Sequence, residues 1–199
     1  HAKWDSLREG APLRVHFGGS LMQATGSDLF CEAVDLLLDR KQRLSRTVQF
    51  VVTGMGETAQ IYALEERLGG RVELELHIGA ERYKYLELLS SSHASLSLKA
   101  PASEIASTTF PSKVIEIASL GLALVTTEVS DVPEIFDETS AYILTDFHPE
   151  ALADCLEQMI ADPDDLIARA TRGFEVARTR FSPPEIGTAL ARFLGVENR

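Results

Sequence analysis

The chain has 199 residues, 45% of them hydrophobic, and carries a formal net charge of −11 from 19 basic and 30 acidic residues. This length and apolar content suit one large or two small globular domains with a substantial buried core. The acidic excess, without a basic patch in the sequence, argues against nucleic acid as a partner and against contact with an anionic membrane surface. A small anionic ligand is compatible with this net charge, because a few local hydrogen-bond donors are enough to bind it.

The cysteines, Cys31 and Cys155, both lie in apolar patterns typical of helices. Two buried thiols in a chain of this size indicate a reducing compartment rather than a disulfide scaffold or a metal site. The sequence shows no apolar run near the roughly 18 residues of a membrane helix and no signal-peptide pattern. Because the first residue is His1 rather than Met, we expect the sequence to be a piece of a longer protein.

Strand-like and helix-like patterns alternate along the chain. In chain order they predict a strand at 13–19, a helix at 28–40, a strand at 46–56, a helix at 58–70, a strand at 71–79, a helix at 82–92, a strand at 94–100, a helix at 111–120, strands at 122–127 and 141–145, and helices from about Pro149 onward with breaks near Pro163 and at Pro183-Pro184. This alternation predicts right-handed crossovers and a parallel sheet covered by helices on both faces. Without a long linker or an internal repeat, a single domain is favoured.

Ligands of such sheets bind at the carboxyl ends of strands, near the point where the strand order reverses. The loops of interest are therefore those that follow each strand, at 18–27, 53–58, 77–82, 99–111 and 127–135.

The first of these loops lies in "FGGSLMQATGSD", residues 17–28. Its two glycines, Gly18 and Gly19, allow backbone N–H groups to approach an anion, and the next helix adds its dipole. A turn that needs glycine for positive φ angles explains the same residues equally well.

A second candidate is "TTFPSKVIEIASLGLALVTTEVSDVPE", residues 108–134. Pro111 pre-orders a helix start, so free N–H groups of the first helical residues are expected to face the strand ends as an anion site. These groups belong to Ser112, Lys113 and Val114, and the Lys113 ammonium would reinforce them. Glu116 lies on the same helical face, where its carboxylate could accept two hydroxyl hydrogens, as carboxylates do from ribose. The alternative is a solvent-facing Lys113–Glu116 pair, worth a few tenths of a kcal/mol.

The remaining loops give weaker signals. "TGMGE", residues 53–57, is better explained as a tight turn. In the loop after the fifth strand Thr126, Thr127 and Ser130 could reach a ligand, but an ordinary connection with a capping Ser or Asp is favoured. His77 ends a strand at the ligand edge. The histidines lack metal-ligand spacing, so no metal is expected, and no catalytic residue is assigned.

Together these segments resemble the C-terminal, donor-binding domain of the retaining GT-B glycosyltransferases of group 1, their largest family. The resemblance lies in "HFGGSLMQATGSDLFCEAVDLL" (first strand, glycine loop and helix), "VQFVVTGMGE" (second strand and Gly turn), "FPSKVIEIASLGLALVTTEVSDVPEIF" (Pro, a helix with a Glu, Gly, a buried strand and a polar loop) and "ARTRFSPPEIGTAL" (C-terminal helix). The resemblance covers most of the chain. Within the family, the chain looks closest to the branch that has Pro-Ser-Lys before the Glu.

The resemblance implies an α/β, Rossmann-like three-layer domain with a parallel sheet, the C-terminal half of a GT-B fold, followed by C-terminal helices. Residues 1–199 would form a single nucleotide-sugar-binding domain, part of a longer two-domain enzyme. That enzyme would transfer a sugar with retention from a UDP-sugar or GDP-sugar to a glycan or lipid-linked acceptor in polysaccharide biosynthesis. It would use no cofactor, lie in the cytoplasm or at the inner face of a membrane, and bind acceptor through its N-terminal domain, so turnover by this chain alone is not expected.

The resemblance also implies roles for single residues. Glu116 would bind the ribose, and the diphosphate would lie against Gly18, Gly19, Ser20, Ser112, Lys113 and Val114. Three positions depart from the family pattern. The family often has an acid before the helix, where this chain has Thr108. It also often has an Arg and a Lys around the glycine loop, where this chain has Ser20 and Thr25. Our hypothesis is that Lys113 supplies the missing positive charge.

Two alternatives follow from these departures and from the fold class. One is a non-catalytic domain of the same fold that has lost donor binding. The other is a receiver-like, doubly wound signalling module, which would need clustered acids for a metal where these loops offer mostly Gly, Ser and Thr.

Overall fold

The computed structural model describes residues 2–40, 44–69, 72–103, 106 and 109–195. The strands are β1 (Leu13–Leu21), β2 (Val48–Gly56), β3 (Glu73–Ile78), β4 (Ala94–Ser97), β5 (Ala123–Thr127) and β6 (Tyr142–Leu144). The helices are α1 (Ala2–Arg8), α2 (Ser27–Arg40), α3 (Ala59–Leu68), α4 (Arg82–Ser91), α5 (Lys113–Ser119), α6 (Val132–Ile135), α7 (Pro149–Ala161), α8 (Pro163–Arg180) and α9 (Pro183–Phe193), with a 3₁₀ turn at Gln23–Thr25.

The six strands form one parallel sheet in the order β3-β2-β1-β4-β5-β6. The chain moves outward from β1 to β3 and then returns to place β4 on the other side of β1. The strand order therefore reverses between β1 and β4, where open α/β sheets bind their ligands. The predicted α/β class and Rossmann-like parallel sheet are confirmed.

The strands differ in length at the reversal point. β1 and β2 pair over nine residues each, from Leu13 with Val48 to Leu21 with Gly56. β4 pairs with β1 only from Val15 to Phe17. The ends of β1 and β2 therefore continue past the end of β4.

Two apolar clusters cover the two faces of the sheet. One joins the inward faces of α2, α3 and α7 to β1 and β2, with Phe30 and Phe50 fully buried. The other joins α4, α5 and part of α8. Neighbouring residues of β5 belong to different clusters, Leu124 to the second and Val125 to the first, as the alternation of side chains along a strand requires.

Most element boundaries agree with the sequence patterns, including the breaks of the C-terminal helices before Pro163 and Pro183. Helix α5 is shorter than the predicted 111–120, and helix α1 was not predicted. Both thiols are buried and free, and burial raises the pKa of Cys31 to about 12. Within the described ranges, every helix is too short or too polar to cross a membrane.

Candidate functional site

A cavity of ≈ 180 Å³ opens at the reversal point between β1 and β4. Its polar lining comes from the glycine loop, the end of β4 and the start of α5: Gly18, Ser20, Thr25, Lys99, Ser112 and Lys113. The two stretches singled out in the sequence, 17–28 and 108–134, thus meet at the place that the topology favours for a ligand.

A second cavity, of ≈ 530 Å³, lies beside the first at the ends of β1, β2 and β3. Gly19, Thr53, Arg82 and Tyr85 contribute to its lining. Lys113 lines both cavities, so its side chain stands between them.

Lys113 reaches across from α5 to the glycine loop, where its ammonium donates a hydrogen bond to the carbonyl oxygen of Gly18. The side chain is half-buried, and this burial lowers the pKa of Lys113 while the nearby Glu116 raises it. A Cβ on Gly19, which has φ +112°, would overlap the Lys113 ammonium and lie 2.9 Å from its Cε. The glycine is therefore needed for the lysine to reach the loop.

Glu116 is half-buried one turn further along α5. Its Oε2 accepts a hydrogen bond of 2.9 Å from the Tyr85 hydroxyl on α4. Burial and the adjacent Glu116 carboxylate together raise the pKa of Tyr85. Lys113 and Glu116 thus each contact a different element of the fold, which differs from a solvent-facing pair.

A buried histidine on β1 packs against Tyr85 and so supports the Tyr85–Glu116 pair. His16 is 1% exposed in the middle of β1, and its ring nitrogens lie 2.9 Å from Ser95 Oγ on β4 and 2.9 Å from Thr53 Oγ1 on β2. Its ring also meets the edge of Tyr85 at a centroid distance of 5.8 Å. Burial, with smaller contributions from Lys113 and Arg14, lowers the pKa of His16 to about 3, so the ring is neutral at neutral pH.

The other residues predicted to contact a ligand, Ser20, Ser112 and Val114, differ in exposure and in hydrogen bonding. Ser20 and Ser112 are exposed and line the first cavity. The expectation of a free N–H on Val114 is wrong: this amide donates to the Pro111 carbonyl over 2.9 Å, because the helix begins with a tight turn, and the Val114 side chain is fully buried. Thr25 Oγ1 lies 2.5 Å from the Ser20 carbonyl and therefore holds the glycine loop in shape.

The threonines predicted in the loop after the fifth strand are the last two residues of β5, and their hydroxyls connect strand ends. Thr126 and Thr127 are buried, and their hydroxyls donate to the carbonyls of Ser97 and Lys99 over 3.1 and 2.9 Å. This agrees with the favoured interpretation as a connection, although Asp131, which precedes α6, makes no side-chain capping bond. Ser130 has a positive φ of 51°. Thr108 lies outside the described residues.

Sequence reasoning did not single out three residues of the site: Tyr85, His16 as a polar bridge, and Lys99. Lys99 lies two residues beyond the end of β4, and its ammonium donates to Thr109 Oγ1 over 2.9 Å at the rim of the first cavity. Burial lowers the pKa of Lys99. Its position at the start of the loop 99–111, one of those that follow a strand, was the available signal. His77 pairs with Glu75 over 2.6 Å, and the described residues contain no cluster suited to a metal ion.

The family model for "Glycosyl transferases group 1" matches residues 12–162. The chain belongs to this family. The glycine loop, the strand ends and the α5 helix all lie within the matched part of this group 1 glycosyltransferase. A comparison with curated proteins gave no match.

Several solved structures share the fold of this group 1 glycosyltransferase. The C-terminal domain of LpcC from Francisella tularensis is 18% identical with a TM-score of 0.68, over 92% of each chain. Anabaena Alr3699/HepE in complex with UDP is 14% identical with a TM-score of 0.76, over 98% of this chain and 53% of that one. WaaG, a glycosyltransferase involved in lipopolysaccharide biosynthesis, is 18% identical with a TM-score of 0.66, over 96% of this chain and 50% of that one. The chain thus has the fold of a GT-B C-terminal domain and spans about half the length of the last two proteins.

Proposed function

We propose that this chain binds the nucleotide diphosphate sugar in a retaining glycosyltransferase whose other half carries the acceptor site. The observation that carries the proposal is the pairing of Lys113 with the glycine loop and of Glu116 with Tyr85, side by side at the reversal point of the sheet. The UDP and UDP-glucose complexes of Alr3699/HepE support a nucleotide sugar as donor.

Lys113 is the residue that we assign to the diphosphate. Its ammonium has three N–H donors and uses one on Gly18, so two remain for phosphate oxygens. Lys99, on the rim of the same cavity, adds a second positive charge in a chain whose net charge is −11. Cations fixed beside a leaving diphosphate stabilise the charge that develops on it as the glycosidic bond breaks. Lys113 thereby takes the place of the cations absent at Ser20 and Thr25.

Glu116 is the residue that we assign to the ribose. Each carboxylate oxygen accepts more than one hydrogen bond, so Glu116 can accept ribose hydroxyls while it keeps its bond from Tyr85. The amide and hydroxyl of Ser112, an exposed residue, would contact the phosphates between ribose and sugar together with Gly18, Gly19 and Ser20.

The acceptor belongs to the other half of the enzyme in this proposal, and we expect a glycan or lipid-linked acceptor in polysaccharide biosynthesis. The role of WaaG in lipopolysaccharide biosynthesis supports this class. We also propose that the enzyme works in the cytoplasm or at the inner face of a membrane. The chain alone is expected to bind donor without turnover.

Thermal unfolding with and without UDP, GDP and ADP tests donor binding. A ligand at a hundred times its Kd adds about 2.7 kcal/mol to the free energy of unfolding, which is readily visible as a rise in Tm. We expect one nucleotide to stabilise the wild type, and Lys113→Met and Glu116→Gln to remove most of that effect. The matched control is Arg178→Met, which removes a cation of an exposed pair with Glu175 on α8 and should leave the shift unchanged.

A second candidate is a domain that kept the fold and lost donor binding, which the neutral Ser20 and Thr25 favour. Under this alternative, none of the three nucleotides would raise Tm at millimolar concentration, in this chain or in the full-length enzyme.

A further inference from the structure

Tyr85 connects the buried polar network of β1 to the carboxylate of Glu116. The aromatic ring is held at an angle of 68° against His16, and the hydroxyl donates to Glu116 Oε2 over 2.9 Å. His16 is itself fixed by Ser95 and Thr53 on the two neighbouring strands. The orientation of the Glu116 carboxylate is therefore determined by the sheet as well as by its own helix.

This connection restrains a long side chain that would otherwise have more rotational freedom. A glutamate on the first turns of a seven-residue helix has three side-chain torsions, and ordering them on ligand binding costs free energy. The Tyr85 bond orders them beforehand and keeps the second oxygen, Oε1, for a ligand. The hydroxyl stays protonated at neutral pH, because burial and Glu116 raise the pKa of Tyr85, so it remains a donor.

We infer that Tyr85 is a positioning residue that orients Glu116 toward the sugar hydroxyls of a nucleotide and so sets the preference of this site for ribose over deoxyribose. The inference rests on the proposed donor-binding function. Tyr85 acts through Glu116, and its contribution should vanish with a ligand that has no ribose hydroxyls.

The test compares UDP with 2′,3′-dideoxy-UDP by calorimetric titration of the wild type and of Tyr85→Phe. If GDP or ADP is the nucleotide that stabilises the wild type, the matching pair is used. A hydrogen bond to a charged group gives the wild type a preference of about tenfold or more for the ribonucleotide. We expect Tyr85→Phe to reduce this preference by about threefold to tenfold, with the affinity for the dideoxy ligand unchanged.

Two further variants separate positioning from general damage. Tyr142→Phe removes a bond of the same kind, 3.0 Å from its hydroxyl to Asp165 Oδ2 at the edge of the sheet, and should leave the preference unchanged. In Glu116→Ala, which has no acceptor for the Tyr85 hydroxyl, adding Tyr85→Phe should lower the preference no further.

The outcomes distinguish the inference from the function on which it rests. If the wild type binds a nucleotide but Tyr85→Phe weakens both ligands equally, or neither, the inference is overturned and the donor site stands. If the wild type binds none of UDP, GDP and ADP, the proposed function fails and the inference falls with it.

Discussion

Gly19 lies directly beneath the ammonium of Lys113, and its missing side chain makes their close approach possible. The half-buried lysine in turn uses the carbonyl of Gly18 as its partner. The glycine loop and the lysine therefore form one unit, although Gly19 and Lys113 are 94 positions apart in the sequence.

We expect Gly19→Ala to displace the half-buried Lys113 side chain and to lower the free energy of unfolding by about 2–4 kcal/mol, because the alanine is strained at positive φ and the lysine loses its hydrogen bond to Gly18. Gly10→Ala is the matched control: Gly10 has φ +101° but open space around its Cβ position. It should cost only the backbone strain, about 1–2 kcal/mol. Urea unfolding of both variants measures the difference. Equal losses would show that Lys113 does not depend on the glycine.

The sequence predicted the residues of the loop and the helix better than the residues that support them. Gly18, Gly19, Lys113 and Glu116 stand in local patterns of Gly, Pro and helix spacing, and the structure places these patterns at one end of the sheet. Tyr85 lies in a helix without a distinctive motif, and its hydroxyl meets Glu116 only because α4 and α5 pack on the same face. Such a contact depends on tertiary geometry that no local pattern encodes.

A glycine in helix α8 allows this helix to pack closely against the segment before β6. Gly173 lies in the middle of this helix, and a Cβ there would come within 2.8 Å of the Ser140 carbonyl oxygen just before β6. Gly187 lies inside helix α9 with nothing within 4 Å of its Cβ position. The two glycines have the same secondary structure and opposite surroundings.

We expect Gly187→Ala to raise the free energy of unfolding by about 0.5–1 kcal/mol, because alanine favours the helix. Gly173→Ala should lower it by about 1–3 kcal/mol, because the same gain in helix propensity is outweighed by the clash with Ser140. Thermal unfolding of the two variants checks the signs. A stabilising Gly173→Ala would mean that α8 can move away from β6 at little cost.

The order of the elements was predictable, and their boundaries less so. Strand–helix alternation predicted the parallel sheet, but the order β3-β2-β1-β4-β5-β6 follows from packing that the pattern of a single segment does not contain. Pro111 indicated the start of α5, but the helix begins two residues later. The Pro111 carbonyl accepts a hydrogen bond from the Val114 amide, three residues on, as in a tight turn rather than an α-helix. Helix α1 was missed because it is short and buries only Leu7 completely.

Two buried histidines couple the stability of the whole molecule to pH. His16 bridges β2 and β4, and His93 accepts a hydrogen bond from the Arg14 amide while its other ring nitrogen lies 3.1 Å from the Lys3 carbonyl on α1. Burial is the main reason that the pKa of His16 falls to about 3 and that of His93 to about 4, from an ordinary value of 6.5. Below pH 6.5 the unfolded chain therefore binds protons that the folded chain does not.

We expect the stability contributed by these neutral histidines to be complete above pH 6.5 and to fall as the pH drops toward 4 and then 3. Each histidine adds a slope of at most about 1.4 kcal/mol per pH unit. Urea unfolding between pH 7.5 and 5 should show a smaller slope for His93→Gln and for His16→Gln than for the wild type. The exposed His148→Gln serves as the control. Identical slopes in all four proteins would contradict this assignment.

The unequal lengths of β1 and β4 determine the depth of the site. β4 stops at Ser97, one residue after the partner of Phe17, whereas β1 continues to Leu21. The additional residues 19–21, at about 3.3 Å each, raise a wall of about 10 Å beside the end of β4. Because this height is determined by backbone pairing with β2, substitutions of the side chains around the wall can change what the site recognises without changing how deep a ligand lies. Depth is thus specified by the backbone of the wall, and side-chain recognition by the residues around it.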